Sequence, residues 1–308
     1  MPAFYVLQQG TKLRLENRRL LVVQGEEILA STPLSHVSQV VLFGRIGLTT
    51  PVIGSLMPHV PLRQAQYRCL DQPEFVLEMA KGFVSAKLQH QRTFLLRHNR
   101  KKRDADIEKA CMQIEAALES VPRKTTLNAL LGLEGTASRA YFRGFRGLFD
   151  DHWNFNSRTR RPPRDPVNVL LSFGYTLLVQ DCRSAVQSVG LDPYAGYLHS
   201  ISYNRPSMAL DLVEEFRVIV DGLALWSCNS GVLTPQDFTP GPPERPIVLS
   251  DEGIRAYVQV YEKRLDRQQT HPGRGIQFQL RQCIVEQARQ IAKRVRDGQP
   301  GYRGMGFR

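Results

Sequence analysis

The sequence predicts an α+β protein, with an N-terminal β-rich, sandwich-like domain over residues 1–75 and an all-α domain over residues 76–308. Three observations predict it. The N-terminal part consists of short apolar or alternating runs broken by Gly, Asn and Pro. From Asp71-Gln72-Pro73 onward, apolar positions recur at helical rather than alternating spacing. A chain of 308 residues with 42% hydrophobic content can bury a sizeable core and divides naturally into two domains.

In chain order, Ala3 to Leu7, Lys12 to Leu15, Leu20 to Gln24 and Gln39 to Phe43 read as strands, with Gln24-Gly25-Glu26-Glu27 as a turn between two of them. Pro73 suits the first turn of a helix, and Phe75, Leu77, Met79, Phe83, Val84 and Leu88 supply its apolar positions. The domain boundary is placed between residues 68 and 80. A helix follows from Thr125 to Phe149, and a sharply delimited one from the Asp165 cap and Pro166 to Gly190. The interior of that second helix is apolar on most sides, which marks it as the central helix of its domain. The Pro-rich stretch Leu233 to Ser250 reads as an irregular connection, followed by helices at Asp251 to Arg267 and Ile276 to Asp297. Gly298 to Arg308 is Gly-rich and basic and reads as a mobile tail.

Composition narrows the function. The longest nearly unbroken apolar run, Val169 to Val179, is too short to span a bilayer, and no signal-peptide pattern follows Met1, so a cytoplasmic protein is expected. Five widely spaced cysteines without a Cys-x-x-Cys pair suggest reduced, buried thiols rather than disulfides or structural zinc. A net charge of +12 spread over several segments suits a long phosphate track better than a membrane surface.

Three stretches carry polar residues that their surroundings do not explain. In the helix from Thr125, the residues Leu127, Leu131, Ser138, Tyr141, Phe145 and Leu148 form one stripe, and Glu134 falls in its middle. A carboxylate there is costly unless it is paired, protonated or bound to a cation. His199 lies in a turn-rich connection. Asp211, Glu214 and Glu215 stand at mutually repelling spacing on a helix from Ala209 to Leu223. In the bland reading, Glu214 pairs with Arg217, Glu215 faces water and His199 is an ordinary loop histidine. In the sharper one, Glu134, His199 and Glu214 are O, N and O ligands of one divalent ion, with Asp211 in reach. That thiolate-free set suits Mn²⁺ or Mg²⁺. In a basic protein such an ion points to phosphodiester chemistry, where residue typing cannot separate hydrolysis from strand transfer, and a non-catalytic structural ion also fits.

Two basic stretches are candidates for holding DNA backbone. Lys87 to Arg103 includes Lys87 and Arg92, and Arg158 to Arg164 offers Arg158, Arg160, Arg161 and Arg164 beside Trp153 and Phe155. Aromatics next to arginines in an irregular loop can stack on bases, and the loop leads into a helix N-terminus.

Four ordered segments, Leu131 to Phe142 with its Leu-Gly-Leu-Glu-Gly motif, Arg160 to Tyr175, Gly190 to His199 and Met208 to Arg217, carry a family resemblance. The chain resembles the integrase of CRISPR adaptation, the larger of two near-universal CRISPR-associated adaptation proteins, also described as a metal-dependent DNA endonuclease. The resemblance implies metal binding at Glu134, His199 and Glu214 and an auxiliary acid at Asp211. It implies a β-rich dimerisation domain joined to a helical catalytic domain in a prokaryotic protein. It also implies dimers bridged by a small ferredoxin-like partner, which insert short DNA duplexes into a repeat array by 3′-hydroxyl attack. Many members carry Pro where this chain has Glu215 and Val218, so Glu215 is a second candidate for the auxiliary acid. The alternatives carried beside this reading are a stand-alone structure-selective nuclease on branched DNA or RNA, and a non-catalytic nucleic-acid-binding scaffold.

Overall fold

The computed structural model describes residues 3–37, 39–42, 44–52, 60–270, 275 and 277–306. Two compact units emerge, residues 1–64 and 65–308. In the first, β1 (Ala3–Val6) pairs in parallel with β5 (Gln39–Leu42). A four-stranded sheet runs β4 (Glu27–Pro33), β3 (Arg19–Gln24), β2 (Lys12–Glu16), β6 (Gly47–Leu48). The two-residue turn Asn17-Arg18 has positive φ at both positions, 47° and 61°, the twist that joins antiparallel strands tightly. The turn expected at Gln24 to Glu27 is present, with Gly25 at φ 63°. Val6, Leu13, Leu20, Val22 and Val52 form this unit's core, and it draws on both sheets as a sandwich-like arrangement requires.

The units divide inside α1 (Val60–Leu70), earlier than residue 75. The reason is local: Gln66 Nε2 donates to the carbonyls of Asp192 (2.9 Å) and Ala195 (2.7 Å), so the second half of α1 belongs to the helical unit. Pro73 does open a helix, but it marks a bend between helices rather than a change of domain.

The helical unit contains α2 (Pro73–Lys102), α3 (Ala105–Ser120), α4 (Leu127–Arg146), α5 (Pro166–Ser188), α6 (Ser207–Asn229), α7 (Asp251–Leu265) and α8 (Leu280–Asp297). The Asp165 cap of α5 accepts from Asn168 N at 2.8 Å, as its position predicts. Helix α5 packs on α6 and α8, while α2 packs on α3, α4 and α6. Gly174 lets α5 approach α6: a Cβ there would lie 2.6 Å from Val220 Cγ1. All five cysteines are buried and unpaired. Among the described residues, no helix is long and apolar enough to cross a membrane.

The helical unit departs from its expected form in several places. It is not all-α, because the Pro-rich connection forms a hairpin of β7 (Phe238–Pro240) and β8 (Ile247–Leu249), and β9 (Gln268–Thr270) pairs with β10 (Gln277–Gln279). These strands are only three residues long, below what alternation can reveal. The expected helix start at Ile276 lies outside the described residues, and α8 begins at Leu280. The tail is docked: Tyr302 and Met305 are 3% and 2% exposed. Trp153 and Phe155 are also buried, Phe155 against Phe145 and Phe149, so neither stacks on an external base.

Candidate active site

Helices α4 and α6 and the loop between α5 and α6 carry the three predicted ligands. Glu134 comes from α4, Glu214 from α6 and His199 from the loop. Glu134 does not fall in the middle of a packed stripe. The packed face of α4 is Leu130, Ala137, Ala140, Tyr141, Gly144 and Phe145, whereas Leu131 is exposed. Glu134 sits at the rim of that face with its side chain 20% exposed, and Ser138 Oγ donates to its Oε1 at 2.7 Å.

The loop is set by Asp211. Its Oδ2 accepts the backbone N–H groups of Tyr197 (2.6 Å) and Leu198 (2.9 Å), and its Oδ1 accepts that of His199 (2.9 Å). Oδ1 also lies 2.7 Å from His199 Nδ1, which assigns the ring proton to Nδ1 and turns Nε2 toward Glu214 Oε1, 3.9 Å away. Gly196 makes this close approach feasible, since a Cβ there would lie 2.6 Å from the Ser207 carbonyl carbon and 2.8 Å from Asp211 Oδ2. Asp211 is thus the residue behind the imidazole, the arrangement in which a carboxylate orients a ligating histidine.

Glu214 is almost fully buried. Burial alone would raise its carboxyl, but Arg217, Lys87 and His199 outweigh that and hold it well below the usual carboxylate range. Arg217 Nη1 donates to Oε1 at 3.0 Å and stacks over the Tyr175 ring at 4.1 Å. The Tyr175 hydroxyl donates to Asp221, which also accepts Tyr141 OH at 2.8 Å. The bland expectation of a Glu214–Arg217 pair is therefore met, alongside the convergence on His199.

Lys87 was expected among DNA contacts. Instead its side chain is 5% exposed and its ammonium sits between Glu134 Oε1 and Glu214 Oε2, the latter at 2.6 Å. Its place one helical turn after Phe83, in an apolar segment, was the signal that it turns inward. Glu215 does not join the site. Its carboxylate accepts Met305 N (2.9 Å), Gln287 Nε2 (2.9 Å) and the Tyr302 hydroxyl. Burial raises it to about 7 despite those bonds. Adjacent helical residues point about 100° apart, so Glu214 and Glu215 serve different places.

Arg158 is held within the fold, donating to Asn168 Oδ1 (2.7 Å) and Ser172 Oγ (3.1 Å), and Arg92 pairs with Glu115 at 2.6 Å. Arg160, Arg161 and Arg164 are exposed.

Two carboxylates and an imidazole form a donor set that suits a hard or borderline divalent ion. Among the described residues, no three His, Cys, Asp or Glu side chains stand close enough together to hold one. The cation between the carboxylates is Lys87. What fits an ion is the chemistry of the donor set, since Glu134 and Glu214 already hold one cation between them, with Lys87 Nζ 2.6 Å from the buried Glu214 Oε2.

The family model described as CRISPR associated protein Cas1 matches residues 4–60 and 55–263. A CRISPR-associated endonuclease Cas1 from Thermus thermophilus is 34% identical over 97% of this chain and 95% of its own length. Among solved structures, a partial Cas6-RT-Cas1–Cas2 complex aligns with a TM-score of 0.71 at 25% identity, over 97% of this chain and 96% of that one. A Cas1 protein from Thermotoga maritima shares the fold, with a TM-score of 0.71 at 23% identity over 98% of both chains. With a family match over most of its length and a third of its residues shared with a near full-length relative, this chain belongs to the Cas1 family of CRISPR-associated endonucleases.

Proposed function

We propose that the protein is a metal-dependent DNA integrase and endonuclease that inserts short duplexes into a CRISPR repeat array by 3′-hydroxyl attack on phosphodiesters. The observation that carries this reading is that Glu134 and Glu214 share the Lys87 ammonium while the Asp211-oriented His199 turns its Nε2 toward Glu214. Mn²⁺ or Mg²⁺, when bound by Glu134, His199 and Glu214, would polarise a phosphate oxygen and lower the pKa of an attacking hydroxyl. The chain's own residues prepare that site. Asp211 holds the Nδ1–H tautomer of His199, Ser138 orients Glu134, and the Tyr175 ring carries Arg217 against Glu214. Arg160, Arg161 and Arg164 are exposed and free to meet double-stranded DNA backbone near the N-terminus of α5.

The partners follow the same reading: a homodimer through the β-rich unit, and a small ferredoxin-like adaptation protein joining two dimers in a prokaryotic cytoplasm. For an adaptation partner, the support is the Cas2 named with a Cas1 chain in the similar complex.

The test is incubation of the protein with a short duplex and a repeat-bearing plasmid in Mn²⁺, in Mg²⁺ or in chelator. Joined products that vanish with chelator are expected. Cut ends without joining would favour the stand-alone nuclease, and DNA binding without turnover would favour the scaffold.

Asp211 supplies a narrower check. An Asn at that position keeps the shape but replaces one acceptor with an N–H group facing backbone donors. Asp211→Asn should lower Mn²⁺ affinity about 10- to 100-fold in a calorimetric titration. Unchanged affinity would remove Asp211 from its role behind His199.

A further inference from the structure

We propose that Lys87 is an internal competitor for the divalent cation, its ammonium clamping Glu134 and Glu214 until an incoming ion displaces it. This rests on the metal reading above and adds a residue that reading does not assign.

Lys87 lies mid-way along α2 between the buried Ala86 and Leu88, and is 4% exposed overall. A buried ammonium is costly to desolvate and persists only where opposite charge and good geometry compensate it. Here two carboxylates from two other helices do so: Glu134 of α4 and Glu214 of α6 both reach Nζ. These are two of the three side chains offered to the metal, so the ammonium and a divalent ion draw on the same oxygens. Two cations a few ångströms apart repel strongly at a partly buried site, so simultaneous full occupancy is disfavoured.

The second cation at the site behaves differently. Arg217 is fixed by its stacking on Tyr175 at 4.1 Å and meets the site at Glu214 Oε1, 3.0 Å away. The lysine head rests on a flexible four-carbon stem, and its Glu134 side opens toward solvent, since that carboxylate is 20% exposed. Lys87 can therefore withdraw, whereas Arg217 stays. The clamp also explains how Glu134 and Glu214 remain side by side without an ion, since their mutual repulsion is offset by the lysine.

The experiment compares Mn²⁺ binding to wild type, Lys87→Met and Lys87→Arg, by electron paramagnetic resonance of free Mn²⁺ and by melting temperature with and without the ion. Lys87→Met should bind Mn²⁺ at least about tenfold more tightly than wild type. It should melt lower than wild type in chelator and gain more from added Mn²⁺. Lys87→Arg keeps the charge in a planar fork able to hold both carboxylates, and should bind Mn²⁺ more weakly than wild type. It also serves if the methionine variant does not fold. Equal or weaker binding in Lys87→Met, or binding in Lys87→Arg as tight as wild type, would overturn the competition. No Mn²⁺ binding by wild type and Lys87→Met alike would overturn the metal reading itself, and the competition with it.

Discussion

Glu134→Ala should yield a folded protein whose metal-dependent strand joining falls by roughly three orders of magnitude, with His199→Ala behaving alike. A bound divalent ion supplies several kcal/mol of transition-state stabilisation, and each 1.36 kcal/mol is about tenfold in rate. The fold should tolerate both changes. Glu134 stands at the rim of α4, outside its packed face, and Lys87 keeps Glu214 as a partner when Glu134 is gone. His199 is 22% exposed at its side chain, and the loop beneath it remains tied by Asp211 to the amides of Tyr197 and Leu198. Circular dichroism and melting should match wild type while single-turnover joining collapses, and DNA affinity should change little. Full joining rates in both variants would sink the assignment of the site.

The largest stability effect is expected at the opposite end of the chain. Tyr302→Ala should destabilise the protein by about 3–5 kcal/mol in urea unfolding, the usual cost of deleting a buried aromatic side chain. Tyr302 packs against Phe83 with ring centroids 4.9 Å apart, and Gln287 Nε2 donates to its hydroxyl at 2.8 Å. Its hydroxyl in turn donates to Glu215, and its carbonyl crosses Gly82 so closely that a Cβ there would lie 2.4 Å away. A loss below about 1 kcal/mol would return the tail to a surface role.

The same cluster gives a pH signature. Burial lowers His90 from 6.5 to about 4, against hydrogen bonds to the backbone of Glu215 and Met305. A depressed histidine contributes stability that is present above 6.5 and lost as pH falls toward 4. Glu215, raised by burial from 4.5 to about 7, has the opposite sign: its contribution is present below 4.5 and lost as pH rises through 7. Between 4.5 and 6.5 the two nearly offset. Glu215→Gln removes one of them, so its stability should fall more steeply than wild type's from pH 6.5 to 4.5. Parallel slopes would refute the offset.

Much of the architecture was legible in the sequence because its signals are local. The Asp165-Pro166 helix start, the Gly25 turn and the change from alternating to helical spacing each depend on a few neighbouring residues. The short hairpins of the helical unit were hidden because three-residue strands leave no measurable period. The site was legible in part. Glu134, His199 and Glu214 could be singled out as chemically expensive residues, and the family resemblance joined them.

The sequence by itself determined which residues have ligand chemistry, the order of the two units and the charge that suits a polyanion. Only the tertiary structure decided which way those side chains face. Glu214 and Glu215 are indistinguishable as neighbours in the chain, yet one meets Lys87, Arg217 and His199 while the other anchors Tyr302 and Met305. Asp211 could be named only as an auxiliary acid, until the three amides it accepts showed it holding the loop. Lys87 read as one basic residue among many, until α2, α4 and α6 came together and placed its ammonium between two carboxylates. The physical reason is common to all three. Burial and pairing decide what a charged side chain does, and both are set by helices distant in sequence.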